Sequence, residues 1–235
     1  MSVPHRCRIV FTVGGKGGVG KSWLVALVVQ WLRSLGIEVV IIDADDETST
    51  TTRFHPDARF IAIRNPTEID VIVELALGGT DGVLVVDLPA RAGEEFAAWF
   101  ALMPWAELAE QGVRFTAMAV LAGTKDSIEA AIRWREFLGG NVDFVAVLNE
   151  RDDLSTYRGS RTRQKFAAEG IPECVVPKLD ERIASALDSR SWTIASALQS
   201  EEPHFLTQLM TRARLRRYRD QVFASFDQIK TQLLP

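Results

Sequence analysis

The 235-residue chain carries a formal charge of −4, with 47% hydrophobic and 25% charged residues, a balance that fits a globular protein with a sizeable core and excludes a disordered or fibrous one. No apolar run approaches the ~18 residues of a membrane span, so no integral membrane association is expected. The opening MSVPHRCRIVFTV lacks a secretory leader's apolar segment and cleavage site, and the lone Cys7 and Cys174 suggest neither a disulfide framework nor a zinc site, so a cytoplasmic location with reduced thiols is expected.

In chain order, RIVFTV (8–13) is a β-branched run that stops at glycine, SWLVALVVQWLRSLG (22–36) suits a largely buried helix, and EVVIIDAD (38–45) is an apolar run closing on carboxylates. Strand, glycine loop, helix and strand make a βαβ unit with a right-handed crossover. The alternation continues through RFIAIR (59–64), the helix-like PTEIDVIVELAL (66–77), GVLVVDLPA (82–90), EEFAAWFALMPWAELAEQG (94–112), RFTAMAVLAG (114–123), SIEAAIRWREFLG (127–139) and VDFVAVLNE (142–150). RDDLSTYRGSRTRQKF then reads as an exposed polar loop leading to a short helix around QKFAAEG, and IPECVVP as a last short strand. From about Pro203 a long helix is expected, with Leu206, Leu209, Met210, Ala213, Tyr218, Val222, Phe226, Ile229 and Leu233 as its apolar positions. The expected fold is α/β, a mainly parallel doubly wound sheet flanked by helices. One domain spans 1–235 in this reading, with a core over 8–190 and a C-terminal helical extension over 191–235.

VGGKGGVGKSW (13–23) holds five glycines, two lysines and one serine. Within it, GKGGVGKS satisfies G-x-x-x-x-G-K-[ST] between a strand and a helix, the setting a phosphate-binding loop requires. Backbone N–H groups freed from side-chain bulk by Gly15, Gly17, Gly18 and Gly20, with Val19 among them as a nucleotide-binding position, would wrap a polyphosphate, and the following helix N-terminus adds positive potential. Lys21 would bridge the outer phosphates and Ser22 would ligate Mg²⁺. Lys16 is unexplained by that motif, since a second ammonium near Lys21 is repelled unless further anionic charge is present.

KGGVGKS resembles the deviant Walker A signature of the ParA/MinD family of P-loop ATPases. The resemblance implies that Lys16 reaches the nucleotide of the facing subunit across an ATP-sandwich homodimer. VVIIDADDE resembles the family's segment in which the second carboxylate of D-x-D orients the attacking water, making Asp45 catalytic beside Lys16 and Lys21, with Asp43 supporting the metal. GVLVVDLPA resembles the Walker B strand, so Asp87 would hold the Mg²⁺ shell. Carboxylates at the ends of parallel strands do face the crevice where such a loop lies, although a strand-end aspartate such as Asp43 also serves as a turn or helix cap. VAVLNER and ECVVPKLDERIASALD resemble the base-binding end, implying Asn149 and Pro177 beside adenine; a turn role for Asn149 stands equally. Trp23 departs from the family, replacing the small hydroxyl residue that contacts the α-phosphate, and DETSTTTRF departs where partition ATPases carry proline and glutamine, so slow, partner-stimulated hydrolysis is expected. The TraL/StbC-like proteins of plasmids are similar in size and in carrying KGGVGKS.

From His204 to Pro235 six basic residues stand against two acidic ones. Arg212, Arg216 and Arg219 share a helical stripe that would neutralise DNA phosphates without reading bases; a solvated face of a packed helix is the competing reading. DQIKTQLLP is too poor in basic and bulky apolar residues for a membrane-binding amphipathic helix. The function expected is an ATP-dependent dimerisation switch that hydrolyses ATP, with Mg²⁺, to position DNA or a macromolecular complex under a protein activator, in plasmid maintenance or conjugation. The alternatives are a metabolic ligase or small-molecule kinase on the same scaffold, and a nucleotide-binding module with little turnover.

Overall fold

Alternate residues of the central strands point to opposite faces of one sheet, and both faces are buried. Ile9 and Phe11, Leu84 and Val86, and Phe144 and Ala146 enter one core, whereas Val10, Val83, Val85, Met118, Val145 and Val147 enter the other. Near-continuous apolar strands of this kind are what a parallel sheet covered on both sides needs. The computed structural model describes residues 7–15, 17–45, 49–62, 66–79, 81–90 and 93–235. Its strands are β1 (Cys7–Val13), β2 (Glu38–Asp43), β3 (Arg59–Phe60), β4 (Gly82–Asp87), β5 (Val113–Leu121), β6 (Asp143–Asn149) and β7 (Glu173–Val176). They form one all-parallel sheet in the order β3-β2-β4-β1-β5-β6-β7.

The first core is roofed by helices Pro66–Leu77, Gly93–Ala101, Trp105–Glu110, Lys125–Leu138, Ser155–Arg158 and Arg161–Ala168. The second is roofed by Lys21–Ser34, Glu181–Arg190, Ile194–Gln199, Leu209–Gln228 and Lys230–Leu233. The chain runs outward from β1 to β2 and β3, returns through β4, then builds β5 to β7 on the other side, so the strand order reverses at β1. Ligands of open α/β sheets bind beyond the strand carboxyl ends at such a reversal. The register sets Thr12 of β1 and Asp43 of β2 opposite Asp87 of β4, one polar row at that edge.

The C-terminal helix is part of the second core. Trp31 Nε1 donates to Asp227 Oδ1 at 3.1 Å and its ring meets Phe226 edge-on. Ser225 Oγ accepts the Val175 N–H at 2.7 Å, covering part of the edge strand β7 that would otherwise be open to pairing. At the opposite end of the sheet, buried Arg8 donates to Leu234 O (2.6 Å), Thr116 Oγ1 (2.7 Å) and Asp143 Oδ2 (2.6 Å). The last turn is therefore fastened to β1, β5 and β6.

Four expectations are corrected. Of RFIAIR, among the described residues, Arg59–Phe60 form the strand that pairs with β2, a short edge strand; positions 63 and 64 lie outside the described residues. The 94–112 segment is two helices, Gly93–Ala101 and Trp105–Glu110, interrupted at Pro104, which lacks the N–H a continuous helix needs. The stretch before QKFAAEG is not an exposed loop: Leu154 and Tyr157 are buried and anchor the helix Ser155–Arg158, and the expected short helix begins already at Arg161, running Arg161–Ala168 with Phe166 buried. On the long helix the buried stripe is Thr211, Leu215, Tyr218, Val222 and Phe226, while Leu209 and Met210 are 78% and 66% exposed. The step from Ala213 to Tyr218 is five residues, which leaves the face; Leu215 is the residue in phase. No helix among the described residues is long and apolar enough to cross a membrane.

Candidate functional site

The loop between β1 and helix Lys21–Ser34 is shaped by glycines for two reasons. Gly18 (φ 78°) and Gly20 (φ 100°) occupy the left-handed region that side chains disfavour. Gly15 and Gly20 also pass too close to neighbours for a Cβ, which would lie 2.6 Å from Ala130 Cβ and 2.6 Å from Asn149 Nδ2, respectively. Gly17 and Gly18, by contrast, are exposed on an open side. Gly20 is the helix N-cap and offers no side-chain acceptor, and no acidic residue stands in the first turn. The helix N-terminus thus keeps its positive potential available to an anion.

Lys21 is only 7% exposed. Burial pulls its pKa below the ordinary lysine value, and the nearby Asp87 and Asp45 carboxylates pull it back up. Asp87 is also buried, and burial raises its pKa above the usual carboxylate range, opposed by hydrogen bonds from Ser22 and Thr51 and by the charge of Lys21. It accepts Thr12 Oγ1 at 3.2 Å and Thr51 Oγ1 at 2.7 Å. Asp43 accepts the N–H and the hydroxyl of Thr52, both at 2.7 Å, and the Asp45 N–H at 3.1 Å. These bonds match the helix-cap alternative for Asp43: it holds the segment that carries Asp45 and the helix Thr50–Phe54. Asp45 is half-buried and borders the cavity.

That cavity has a volume of about 480 Å³, within the usual range for a small-molecule site. Gly17, Gly18, Gly20, Lys21, Ser22 and Asp45 line one part of it; Asn149, Arg151, Pro177 and Leu179 line another; Trp23, Tyr218, Arg53, Phe54 and Asp188 complete the wall. Asn149 Nδ2 donates to Val19 O at 2.8 Å and its Oδ1 accepts the Arg151 N–H at 3.3 Å, so it ties the end of β6 to the loop. Arg53 and Asp188, both exposed, pair at 2.5 Å across the rim.

A triphosphate fits this setting: open glycine backbone, an uncapped helix N-terminus and a buried ammonium converge on one cavity. For a metal, the oxygens of Ser22 and Asp87 suit Mg²⁺, which takes few protein ligands and completes its shell with phosphate and water. Among the described residues no three His, Cys, Asp or Glu side chains converge on one point, so a dedicated all-protein cage is not what these residues offer.

Gly15, Gly17, Gly18, Val19, Gly20, Lys21, Ser22, Trp23, Asp43, Asp45, Asp87, Asn149 and Pro177 are all brought to this end of the sheet; Lys16 lies outside the described residues. The three arginines named for DNA stand apart from one another in role. Arg212 is half-buried and donates to Ser200 O, Arg219 pairs with Asp220 at 2.8 Å, and Arg216 lies exposed beside Arg217 on a shallow depression of the helix. Sequence reasoning missed Thr51, Thr52, Arg53, Arg151 and Tyr218. The hydroxyl-rich TSTTT after D-x-D was a usable signal for the threonines; nothing in sequence spacing pointed to Tyr218.

A family model for the CobQ/CobB/MinD/ParA nucleotide binding domain matches residues 10–200. Protein MobD of Acidithiobacillus ferrooxidans is 26% identical over 220 residues, covering 90% of this chain and 93% of that one. Among solved structures, the MinD cell division protein of Aquifex aeolicus is similar with a TM-score of 0.57 at 14% identity, covering 92% of this chain and 97% of its own. The septum site-determining protein MinD of Pyrococcus horikoshii, solved with Mg-ADP, is similar with a TM-score of 0.52 at 14% identity, covering 92% and 96%. At that identity the two structures speak for the fold alone. The match over most of the length, joined to a glycine loop, buried lysine and strand-end carboxylates around one cavity, leads to a plain conclusion: the chain belongs to the CobQ/CobB/MinD/ParA nucleotide-binding family.

Proposed function

We propose that this protein is an ATP-dependent dimerisation switch that hydrolyses ATP slowly, under a protein activator, to position DNA or a macromolecular complex in plasmid maintenance or conjugation. The observation that carries the reading is Lys21 buried between the uncapped helix N-terminus and the Asp87 and Asp45 carboxylates, on a cavity of nucleotide size. A buried lysine whose charged form is disfavoured gains most from a polyanion. Mg²⁺, held by Ser22 and Asp87 together with the phosphates, supplies charge neutralisation on the outer phosphates. Asp43 acts by fastening the segment that presents Asp45, and Asp45 orients the attacking water. Asn149, Arg151, Pro177 and Leu179 receive the base. The plasmid setting rests on the likeness to TraL/StbC-like proteins, and the Mg-ADP of the P. horikoshii relative is in keeping with the ligand pair.

The exposed, open side of the loop at Gly17 and Gly18 supports a second subunit meeting the nucleotide there, with Lys16 as the crossing residue. Because the γ-phosphate and Lys16 contacts exist only in the closed dimer, ATP shifts the population toward it. Light scattering with no nucleotide, with ADP and with a slowly hydrolysed ATP analogue tests this. The dimer should form with the analogue alone, and Lys16→Ala should abolish it while leaving monomer binding. A protein that stays monomeric with the analogue yet phosphorylates a small molecule would replace the switch with the kinase alternative.

A further inference from the structure

The wall of the cavity most distant in sequence from the glycine loop is supplied by the long C-terminal helix. Tyr218 is 5% exposed, yet it borders the cavity beside Trp23, Lys21 and Ser22. The Trp23 indole Nε1–H donates to the Tyr218 hydroxyl at 3.1 Å, with ring centroids 6.5 Å apart. An indole nitrogen has one hydrogen and accepts nothing, so this bond uses the whole polar capacity of Trp23 and leaves an aromatic face. The hydroxyl has accepted one hydrogen and still owns another, for which no acceptor is found among the described residues. Burial pushes the Tyr218 pKa up to about 12, so that hydrogen stays in place across neutral pH. A buried donor without an acceptor is costly unless a ligand supplies one.

Two placements indicate which part of a ligand that is. Trp23 directly follows Ser22 in the first turn of its helix, past the residues assigned to the outer phosphates. Leu179, on the side of Asn149 and Pro177, packs in the same apolar cluster as Trp23 and Tyr218. The pair therefore borders the stretch between the outer phosphates and the base. Resting on the nucleotide reading above, we propose that Tyr218 donates its hydroxyl hydrogen to an oxygen of the nucleoside 5′-phosphate portion of the bound nucleotide, with Trp23 as the positioning residue that fixes the hydroxyl. A phosphate oxygen that a small hydroxyl side chain at position 23 would serve is thereby served from the C-terminal helix. The helix bearing Arg216 and Arg217 becomes part of the nucleotide site, so occupancy of the cavity is felt along it.

The test is calorimetry with two probes, Mg-ADP and magnesium tripolyphosphate, on the unsubstituted protein, Tyr218→Phe, Trp23→Phe and the double variant. Tyr218→Phe should weaken ADP binding about three- to tenfold, the size of one hydrogen bond, and weaken tripolyphosphate by no more than that, since its third phosphate reaches the same position. Trp23→Phe should weaken ADP less, and should add nothing in the Tyr218→Phe background, as expected of a residue that acts through the hydroxyl. Amide exchange across Leu209–Gln228 should slow on ADP binding in the unsubstituted protein, and less in Tyr218→Phe. Unchanged ADP affinity in Tyr218→Phe overturns the inference while the nucleotide site stands. Failure of the unsubstituted protein to bind either probe removes the nucleotide reading and this inference together.

Discussion

Two single side chains, buried His55 and half-buried Asp45, set two measurable properties. His55 Nε2 has no hydrogen-bond partner among the described residues, and burial, reinforced by the Arg33 charge and opposed by Asp57, lowers the pKa of His55 from 6.5 to about 4. The folded chain therefore refuses a proton that the unfolded chain takes up. Stability from this group is intact above pH ~6.5 and falls by about 1.4 kcal/mol per unit as the pH drops toward about 4. Between pH 7 and 5, urea titrations should show the unsubstituted protein losing about 2 kcal/mol more than His55→Gln; equal losses would sink this assignment, since the carboxylates are common to both. Asp45 answers to a different readout. Its backbone is pinned by Asp43 and its side chain borders the cavity, so Asp45→Ala should retain nucleotide binding and ATP-induced dimers while phosphate release drops at least a hundredfold, the lower range for losing a positioned base. Normal release by that variant removes Asp45 from the role. That Lys21, Ser22, Asp45 and Asp87 come together at one end of the sheet was legible, because a glycine loop and strand-end carboxylates meet there in a parallel sheet. Tyr218 was not, because a hydroxyl's partner is decided by tertiary approach: it meets Trp23 across 195 positions.

At the scale of elements, what was legible followed burial period, and what was not followed phase. The strands and the helices Pro66–Leu77 and Lys125–Leu138 stand close to their expected ranges because each has a full apolar face. The helix Ser155–Arg158 was hidden because two anchors, Leu154 and Tyr157, carry it among many polar residues, whereas the short helix expected around QKFAAEG is present as Arg161–Ala168. The C-terminal helical stretch was found, and Leu206, Tyr218, Val222, Phe226, Ile229 and Leu233 are buried as expected, but the early positions Leu209, Met210 and Ala213 are out of phase and exposed, next to the arginines. Once Leu215, Tyr218, Val222 and Phe226 face the core, Arg212 is half-buried against Ser200 and Arg219 is engaged by Asp220 and Phe223, which leaves Arg214, Arg216 and Arg217 as the exposed cations of this helix, the last two side by side on one depression. DNA binding by this helix therefore predicts that Arg216→Glu with Arg217→Glu weakens retention on DNA and reduces the slope of log K against log salt by about two, one phosphate per cation. A slope unchanged by the pair, or no retention of the unsubstituted protein at low salt, dismisses the helix as a DNA surface.

For the whole molecule the decisive fact is how many separate parts of the chain border one cavity. Residues of the 14–23 loop and helix, the 45–54 segment, the end of β6, the turn after β7, the helix Glu181–Arg190 and the C-terminal helix all line it. The last turn is in addition fastened by Arg8 to the far end of the same sheet. We propose that residues 1–235 unfold as one unit, because the stretches that border the cavity also pack in the two cores that share one sheet. A ligand that bridges those parts then stabilises all of them together. At a hundredfold excess over its Kd, a nucleotide adds about 2.7 kcal/mol, which for a chain of this size raises Tm by roughly 5–10 °C. Calorimetric scans with and without Mg-ADP should show a single transition that moves as a whole, with calorimetric and van't Hoff enthalpies in agreement. A melt that splits, with the nucleotide shifting one step while the C-terminal helix unfolds at an unchanged temperature, would contradict both the single unit and the place of Tyr218 in the site.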